Sequence, residues 1–112
     1  MAFGLGLLGL GACSDDPLTQ PAARDRAAAA VCDWAGRCGN IGAGKTHESR
    51  QSCLVTWTAN IENTWPPATC KKIVQAEYDL CVDSIKLATC ENGVDVLAVL
   101  SKCGADKICL AQ

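Results

Sequence analysis

Cysteine is the residue type in this chain with the most chemistry to offer, because nine cysteines occur in 112 residues. Clustered cysteines bind zinc or iron–sulfur clusters, close pairs exchange disulfides, and dispersed cysteines in exported proteins form structural disulfides. No C-x2-C pair is present, and His47 is the single histidine. We therefore predict structural disulfides, with no metal site and no cofactor.

One cysteine, Cys13, lies at the end of an apolar N-terminal segment. This segment carries no charge from Ala2 to Ala12, and it is shorter than the roughly 20 residues of a membrane-spanning helix. We interpret residues 1–12 as a signal peptide. The run Leu10-Gly11-Ala12-Cys13 resembles the lipobox of bacterial lipoproteins, which implies lipidation of Cys13 and anchoring to a membrane. By the sorting rule of such lipoproteins, Ser14 after the cysteine implies the outer membrane.

The rest of the chain divides into a tether and one domain. Residues 13–21 are polar, contain two prolines and predict a flexible tether that carries the lipid. Residues 22–112 form a cysteine-rich helical domain. Without Cys13 an even set of cysteines remains, which predicts four disulfides: Cys32, Cys38, Cys53, Cys70, Cys81, Cys90, Cys103 and Cys109. The net charge of −2 and the dispersed basic residues exclude a nucleic-acid partner.

Residues 39–46, GNIGAGKT, match the nucleotide-binding pattern G-x-x-x-x-G-K-[ST]. In such a loop Lys45 would contact phosphates and Thr46 would bind Mg²⁺. The pattern needs a buried strand before it, whereas an alanine-rich helical segment precedes it here. We predict a helix-to-helix loop in which Thr46 caps the next helix, and keep a nucleotide-binding enzyme as an alternative. His47 beside Glu48 could serve acid–base chemistry, although a solvated position is the simpler interpretation.

The elements that position these residues are four predicted helices. Their ranges are 21–38, 47–63, 68–88 and 94–102, and apolar residues recur at helical spacing in each. In the first helix the stripe is Ala27, Val31, Trp34 and Cys38. Short connections predict an all-α fold, a small disulfide-stapled four-helix bundle with up-down-up-down topology.

This topology predicts a disulfide map. In an antiparallel helix pair, residues equally far from the connecting turn lie level with each other. This rule predicts Cys53–Cys81 around the turn at Pro66, and Cys70–Cys109 around the turn near Cys90. Cys38 and Cys90 fall at the same end of the bundle, which leaves Cys32 for Cys103.

Cysteine spacing and neighbouring residues together resemble a known family. The shared features include Cys32-Asp33, the run from Arg37 to Lys45, Trp65-Pro66, and Lys102-Cys103 with Cys109. They are similar to small cysteine-rich lipoproteins of Gram-negative bacteria, a family of unknown function labelled natural-product-biosynthesis lipoproteins. The resemblance implies a role accessory to such a pathway.

No catalytic constellation emerges from these patterns. We therefore expect a membrane-anchored, non-enzymatic binding or structural module of the envelope, whose partner is another envelope protein or a small apolar molecule. A thiol–disulfide carrier is a second hypothesis, which would require a strained or exposed cysteine pair.

Overall fold

The computed structural model describes residues 18–90 and 101–109, and it confirms the predicted all-α, disulfide-stapled fold. The described helices are α1 (Gln20–Arg37), α2 (Arg50–Thr64), α3 (Gln75–Leu87) and α4 (Ala105–Ile108). The predicted helix 94–102 lies mostly outside the described residues, although Ser101 and Lys102 are helical. The signal peptide, Cys13 and most of the tether also lie outside them.

Helix α1 begins and ends where the sequence indicates. The Thr19 side chain caps its start by accepting a hydrogen bond from the Ala22 N–H at 3.2 Å, and Pro21 occupies the first turn, where no N–H partner is needed. Gly39, with φ at 76°, follows the C-cap Cys38. Only glycine adopts this left-handed conformation without strain, so the chain reverses here.

Helix α1 is the central element, because α2 and α3 both pack against it. Gln20 contacts Trp65 at the end of α2, whereas Cys32 is bonded to Cys53 near its start, so α1 and α2 are antiparallel. Tyr78 of α3 contacts Ala23 near the start of α1, and Arg37 at its end contacts Lys86, so α1 and α3 are parallel. The three long helices therefore run up, down and up. The small side chains of α1 allow this close approach on two sides: Ala23, Ala27, Ala28, Ala30 and Ala35 are all buried.

Helix α2 begins later than predicted, and Thr46 is not its cap. Its N-cap is Ser49, whose hydroxyl accepts from the Ser52 N–H while the Ser52 hydroxyl accepts from the Ser49 N–H. This reciprocal capping box satisfies two backbone donors that the first turn leaves unpaired. Residues 46–48 therefore belong to the loop.

Helix α3 also begins later, at Gln75 rather than at residue 68. Residues before it are used elsewhere: Cys70 N–H donates to Pro66 O at 2.7 Å in a turn, and Val74 N–H donates to Ile108 O at 2.8 Å. Ile73 and Cys109 form an isolated β-bridge. The backbone at Ile73 and Val74 thus pairs with the C-terminal tail, which competes with helix formation.

The disulfides are Cys32–Cys53, Cys38–Cys90, Cys70–Cys109 and Cys81–Cys103. The predicted pairs Cys70–Cys109 and Cys38–Cys90 are present, whereas the predicted pairs Cys53–Cys81 and Cys32–Cys103 are wrong. The level-matching rule treats α2 and α3 as direct neighbours. Instead both flank α1 and are separated by a groove, so Cys53 bonds to α1 and Cys81 bonds to the tail.

Candidate functional site

An apolar groove runs along α1 between α2 and α3, and we refer to it as the central groove. Its volume is about 270 Å³. The floor is the α1 stripe Ala27, Val31 and Trp34, and the α3 wall is Cys81, Ile85 and Ala88. These spacings of three and four residues place each set on one helix face. The groove is the space that the two flanking helices leave above this floor.

The α2 wall is longer and chemically mixed. It is formed by Trp57, Asn60, Ile61, Thr64 and Trp65, and the tail contributes Cys103. Asn60 and Thr64 are exposed, whereas Ile61 and Trp65 are buried. Among the described residues, the groove therefore has an apolar interior and a polar margin on the α2 side.

All three tryptophans of the chain line this groove. Trp65 is 1% exposed, and its indole N–H donates to Cys103 O at 2.7 Å. The indole N–H of Trp34 donates to Thr89 O at 3.2 Å, at the other end of the groove. These bonds join the groove walls to residues 89 and 103. They fix two aromatic rings that would otherwise have rotational freedom.

Tyr78 lies next to Trp65, on the side of α3 that faces the start of α1. Its ring meets the Trp65 ring edge-on, with centroids 6.0 Å apart, and its hydroxyl donates to Ala23 O at 3.1 Å. Burial raises the pKa of Tyr78 to about 12, because the phenolate would lose hydration there. Arg26 opposes this shift and Asp79 adds to it. The spacing of Tyr78 from Cys81 and Ile85 is helical, which places the three residues on one side of α3.

An ion-pair cluster joins the start of α1 to the end of α2. Arg24 contacts both Asp25 and Glu62 at 2.9 Å, and the Gln20 amide donates to Glu62 and to Trp65 O. The hydrogen bond from Arg24, followed by that from Gln20, lowers the pKa of Glu62. This cluster lies outside the groove, so its effect is on stability.

The loop at residues 39–46 does not have the form that its sequence pattern requires for nucleotide binding. It follows helix α1 instead of a strand. Four of its amides already donate to chain carbonyls: Gly39 to Gly36, Asn40 to Ala35, Gly42 to His47, and Lys45 to Gly42. A phosphate cradle needs such amides directed at the ligand. The loop is instead closed on itself.

His47 lies in the same loop and serves its backbone structure. Its N–H donates to Asn40 O at 3.0 Å, and it forms an isolated bridge with Ile41. It precedes α2, whereas the sequence analysis places it in the first helical turn. Neither Lys45, Thr46 nor His47 lines the central groove. The structure therefore places these three residues outside the central groove.

The eight domain cysteines are all paired in the structure. Cys32, Cys53, Cys70 and Cys81 are completely buried, whereas Cys90 is exposed. Access by a thiol therefore differs between the bridges, with Cys38–Cys90 the most open of the four. Across the described ranges, no group of three potential metal-ligating side chains is found. No helix there has the length and hydropathy to span a membrane.

Apolar residues at helical spacing predict that one face of each helix is buried. This spacing does not predict the opening between α2 and α3, nor the polar margin at Asn60 and Thr64. One signal was present in the sequence: three tryptophans occur in a chain with a single phenylalanine. All three, Trp34, Trp57 and Trp65, line the groove, so their abundance is the sequence feature that relates to it.

Comparison with known proteins gives one match. No curated protein and no solved structure matches the chain. A family model described as a family of unknown function (DUF6184) matches residues 32–111, which include all eight cysteines of the domain. The match covers most of the chain, and the chain belongs to the DUF6184 family.

Proposed function

We propose that this protein is a lipid-anchored module of the bacterial envelope that binds a small apolar molecule in the central groove, without catalysis. The observation that carries the proposal is the groove itself, an apolar cavity of about 270 Å³ lined by three tryptophans. Ligand pockets are typically concave, largely apolar and of about 300–1,000 Å³. This cavity lies just below that range and suits a small ligand.

Exported location and membrane anchoring are supported by the cysteine chemistry. Four disulfides are compatible with an exported protein, since such bonds persist in oxidising compartments. The lipobox-like Leu10-Gly11-Ala12-Cys13 supports lipidation of Cys13, and Ser14 supports the outer membrane. The resemblance to natural-product-biosynthesis lipoproteins supports an accessory role in such a pathway, in which the groove would hold an apolar intermediate or product.

Groove binding is tested with N-phenyl-1-naphthylamine, a neutral apolar fluorophore that accepts excitation energy from tryptophan. Because every tryptophan of the chain lines the groove, binding should quench their emission and brighten the dye saturably. Val31→Phe places a ring on the groove floor and should reduce dye affinity. Val55→Phe is the matched control, since Val55 is 61% exposed on the outside of α2.

Two outcomes would contradict the binding proposal. One is the absence of saturable energy transfer in the wild-type protein. The other is equal dye affinity in Val31→Phe and Val55→Phe, provided that circular dichroism shows both variants to be folded. Ala88→Phe, on the opposite wall, gives a second groove-filling variant if Val31→Phe fails to fold.

The anchor is tested independently with Cys13→Ser in the full-length chain. The variant should lose labelled fatty acid and leave the membrane fraction, because the acyl chains supply the membrane affinity. Membrane retention of the unlabelled variant would contradict the anchor but not the groove.

A further inference from the structure

We propose that the Cys38–Cys90 disulfide is a reversible thiol–disulfide exchange site, which an external dithiol protein reduces while the other three bridges stay intact. The site lies at the C-terminal end of α1, and the inference does not rest on ligand binding in the central groove. It follows from the accessibility of this bridge and from the hydrogen bonds that hold its two chain segments together.

Accessibility separates this bridge from the others. Cys90 is exposed and Cys38 is half-buried. Each of the other three bridges has at least one completely buried cysteine, and none of them has an exposed one. Thiol–disulfide exchange requires a thiolate to reach a sulfur atom, so exposed bridges are the labile ones. A dithiol protein therefore reaches Cys38–Cys90 before any other bridge.

The exchange is a two-electron reduction of the bridge. A thiolate of the dithiol attacks Sγ of the exposed Cys90, the bond between Cys90 and Cys38 breaks, and its electron pair leaves with Cys38 as a thiolate. The second thiolate of the dithiol then attacks the dithiol sulfur in the mixed disulfide and releases Cys90 as a thiolate. The two protons that the dithiol loses end on Cys38 and Cys90, and the dithiol becomes a disulfide.

Three hydrogen bonds hold the segment before Cys90 on the end of α1. The Arg37 guanidinium donates to Lys86 O at 3.1 Å and to Ala88 O at 3.2 Å. The Trp34 indole N–H donates to Thr89 O at 3.2 Å. None of these bonds involves a sulfur atom, so they remain when the disulfide is reduced.

The backbone of Cys38 is fixed in the same way. Its N–H donates to Trp34 O at 2.9 Å, and the N–H groups of Gly39 and Asn40 donate to carbonyls of α1. The two thiols of the reduced pair are therefore held close to each other. Re-formation of the bond is then an intramolecular step with a high effective concentration.

The fold retains other links when this bridge is open. One of the remaining disulfides joins α1 to α2, and the other two join the tail to α3 and to the segment before it. The hydrogen bond from the Tyr78 hydroxyl to Ala23 O links α3 to α1 without a cysteine. The pair at positions 38 and 90 therefore cycles between disulfide and dithiol in a folded domain.

The test uses the full-length chain with thioredoxin as the dithiol probe, kept reduced by its reductase and NADPH. Oxidation of NADPH counts the reduced bridges, and alkylation under native conditions followed by peptide mapping identifies them. We expect one bridge per molecule to be reduced, with alkylation at Cys38 and Cys90 and an unchanged circular dichroism spectrum. The Cys38→Ser/Cys90→Ser variant should consume no NADPH. No reduction in the wild type, or reduction of another bridge first or of all four together, would overturn the exchange site.

Reversibility is tested with Arg37→Met against Lys45→Met. Both side chains are exposed cations, one at the end of α1 and one in the following loop, and the Lys45 side chain makes no hydrogen bond or ion pair within the described residues. In a glutathione redox buffer, the equilibrium constant for bridge formation should fall by about three- to tenfold in Arg37→Met and stay at the wild-type value in Lys45→Met. Equal constants in the two variants would overturn the hydrogen-bonded pair, and so would a wild-type bridge that oxidised glutathione does not restore.

Discussion

The two sides of α1 are joined to their neighbours by different kinds of bond. On the α2 side, the completely buried Cys32–Cys53 disulfide links the two helices directly. On the α3 side, no disulfide joins the two helices themselves, and Cys38–Cys90 connects residues just beyond their ends. The α3 side depends on hydrogen bonds from Tyr78, Arg37 and Trp34. The α2 helix is therefore joined covalently to α1 itself, whereas α3 is joined to α1 by hydrogen bonds and by a bridge beyond the helix ends.

The largest expected effect distinguishes the two disulfides next to α1. Loop entropy alone ranks Cys38–Cys90 first, because its sequence separation is 52 against 21 for Cys32–Cys53. Burial reverses this order, since Cys32→Ala/Cys53→Ala also leaves a cavity in the core. We expect this variant to lower the free energy of unfolding by roughly 3–5 kcal/mol, and Cys38→Ala/Cys90→Ala by roughly 2 kcal/mol. Urea denaturation measures both, and a larger loss for the Cys38–Cys90 variant would show that loop length dominates.

The next effect compares the tryptophans at the two ends of the groove. Trp65→Phe should reduce stability by about 2–4 kcal/mol, because it leaves a cavity and removes the buried donor to Cys103 O. Trp34→Phe removes an exposed hydrogen bond to Thr89 O and should cost below about 1 kcal/mol. Thermal and urea unfolding give the comparison. Equal losses would mean that the two ends are held equally firmly.

Tyr78 provides a pH test of the α3 side. Its pKa is raised from 10.0 to about 12 in the folded chain. The stability that protonated Tyr78 contributes is therefore fully present below pH 10 and is lost as the pH rises to about 12. Tyr78→Phe should remove this pH dependence and lower stability by about 1 kcal/mol at neutral pH, because the bond to Ala23 O is lost. As the chain has one tyrosine, phenolate absorbance measures the pKa directly. An ordinary value would contradict a tightly packed α1–α3 contact.

The smallest effect belongs to Glu62 on the α2 side. Its pKa lies below 4.5, chiefly because Arg24 donates to the carboxylate, so its contribution is present above pH 4.5 and lost as the pH falls further. Glu62→Gln should flatten the decline of the melting temperature in acid, whereas Glu48→Gln, at an exposed loop position, should not. Added salt should weaken the wild-type contribution. An unchanged acid profile in Glu62→Gln would show that the ion pair contributes nothing measurable.

Helix existence could be predicted from the sequence because it depends on local signals. Thr19, Pro21 and Gly39 mark the ends of α1, and the prolines at 66 and 67 mark the end of α2. The start of α3 could not be located this way, since Ile73 and Val74 pair with a tail that is distant in sequence. Long-range backbone pairing has no local pattern.

Disulfide partners were predictable only where the geometry was simple. Cys70–Cys109 is predicted because the two residues lie level with each other in an antiparallel arrangement. Cys38–Cys90 is predicted because both residues fall at the same end of the bundle. The partner of Cys53 depended on which helix is central, and an alanine-rich α1 with buried residues on several faces was the overlooked signal. The same oversight hid the groove, because a space between helices depends on their lateral arrangement and not on the periodicity of any one of them.

The order of the disulfides along the chain divides the domain into two cross-linked blocks. Cys32–Cys53 closes the first block, and Cys70–Cys109 with Cys81–Cys103 closes the second. Cys38–Cys90 is the single bridge between them. A protease that cuts once between Cys53 and Cys70 therefore leaves two fragments connected only through the exposed Cys90. Mild reductant would then break the one covalent link between them, whereas a cut between Cys90 and Cys103 would leave the tail attached through Cys70–Cys109 and Cys81–Cys103.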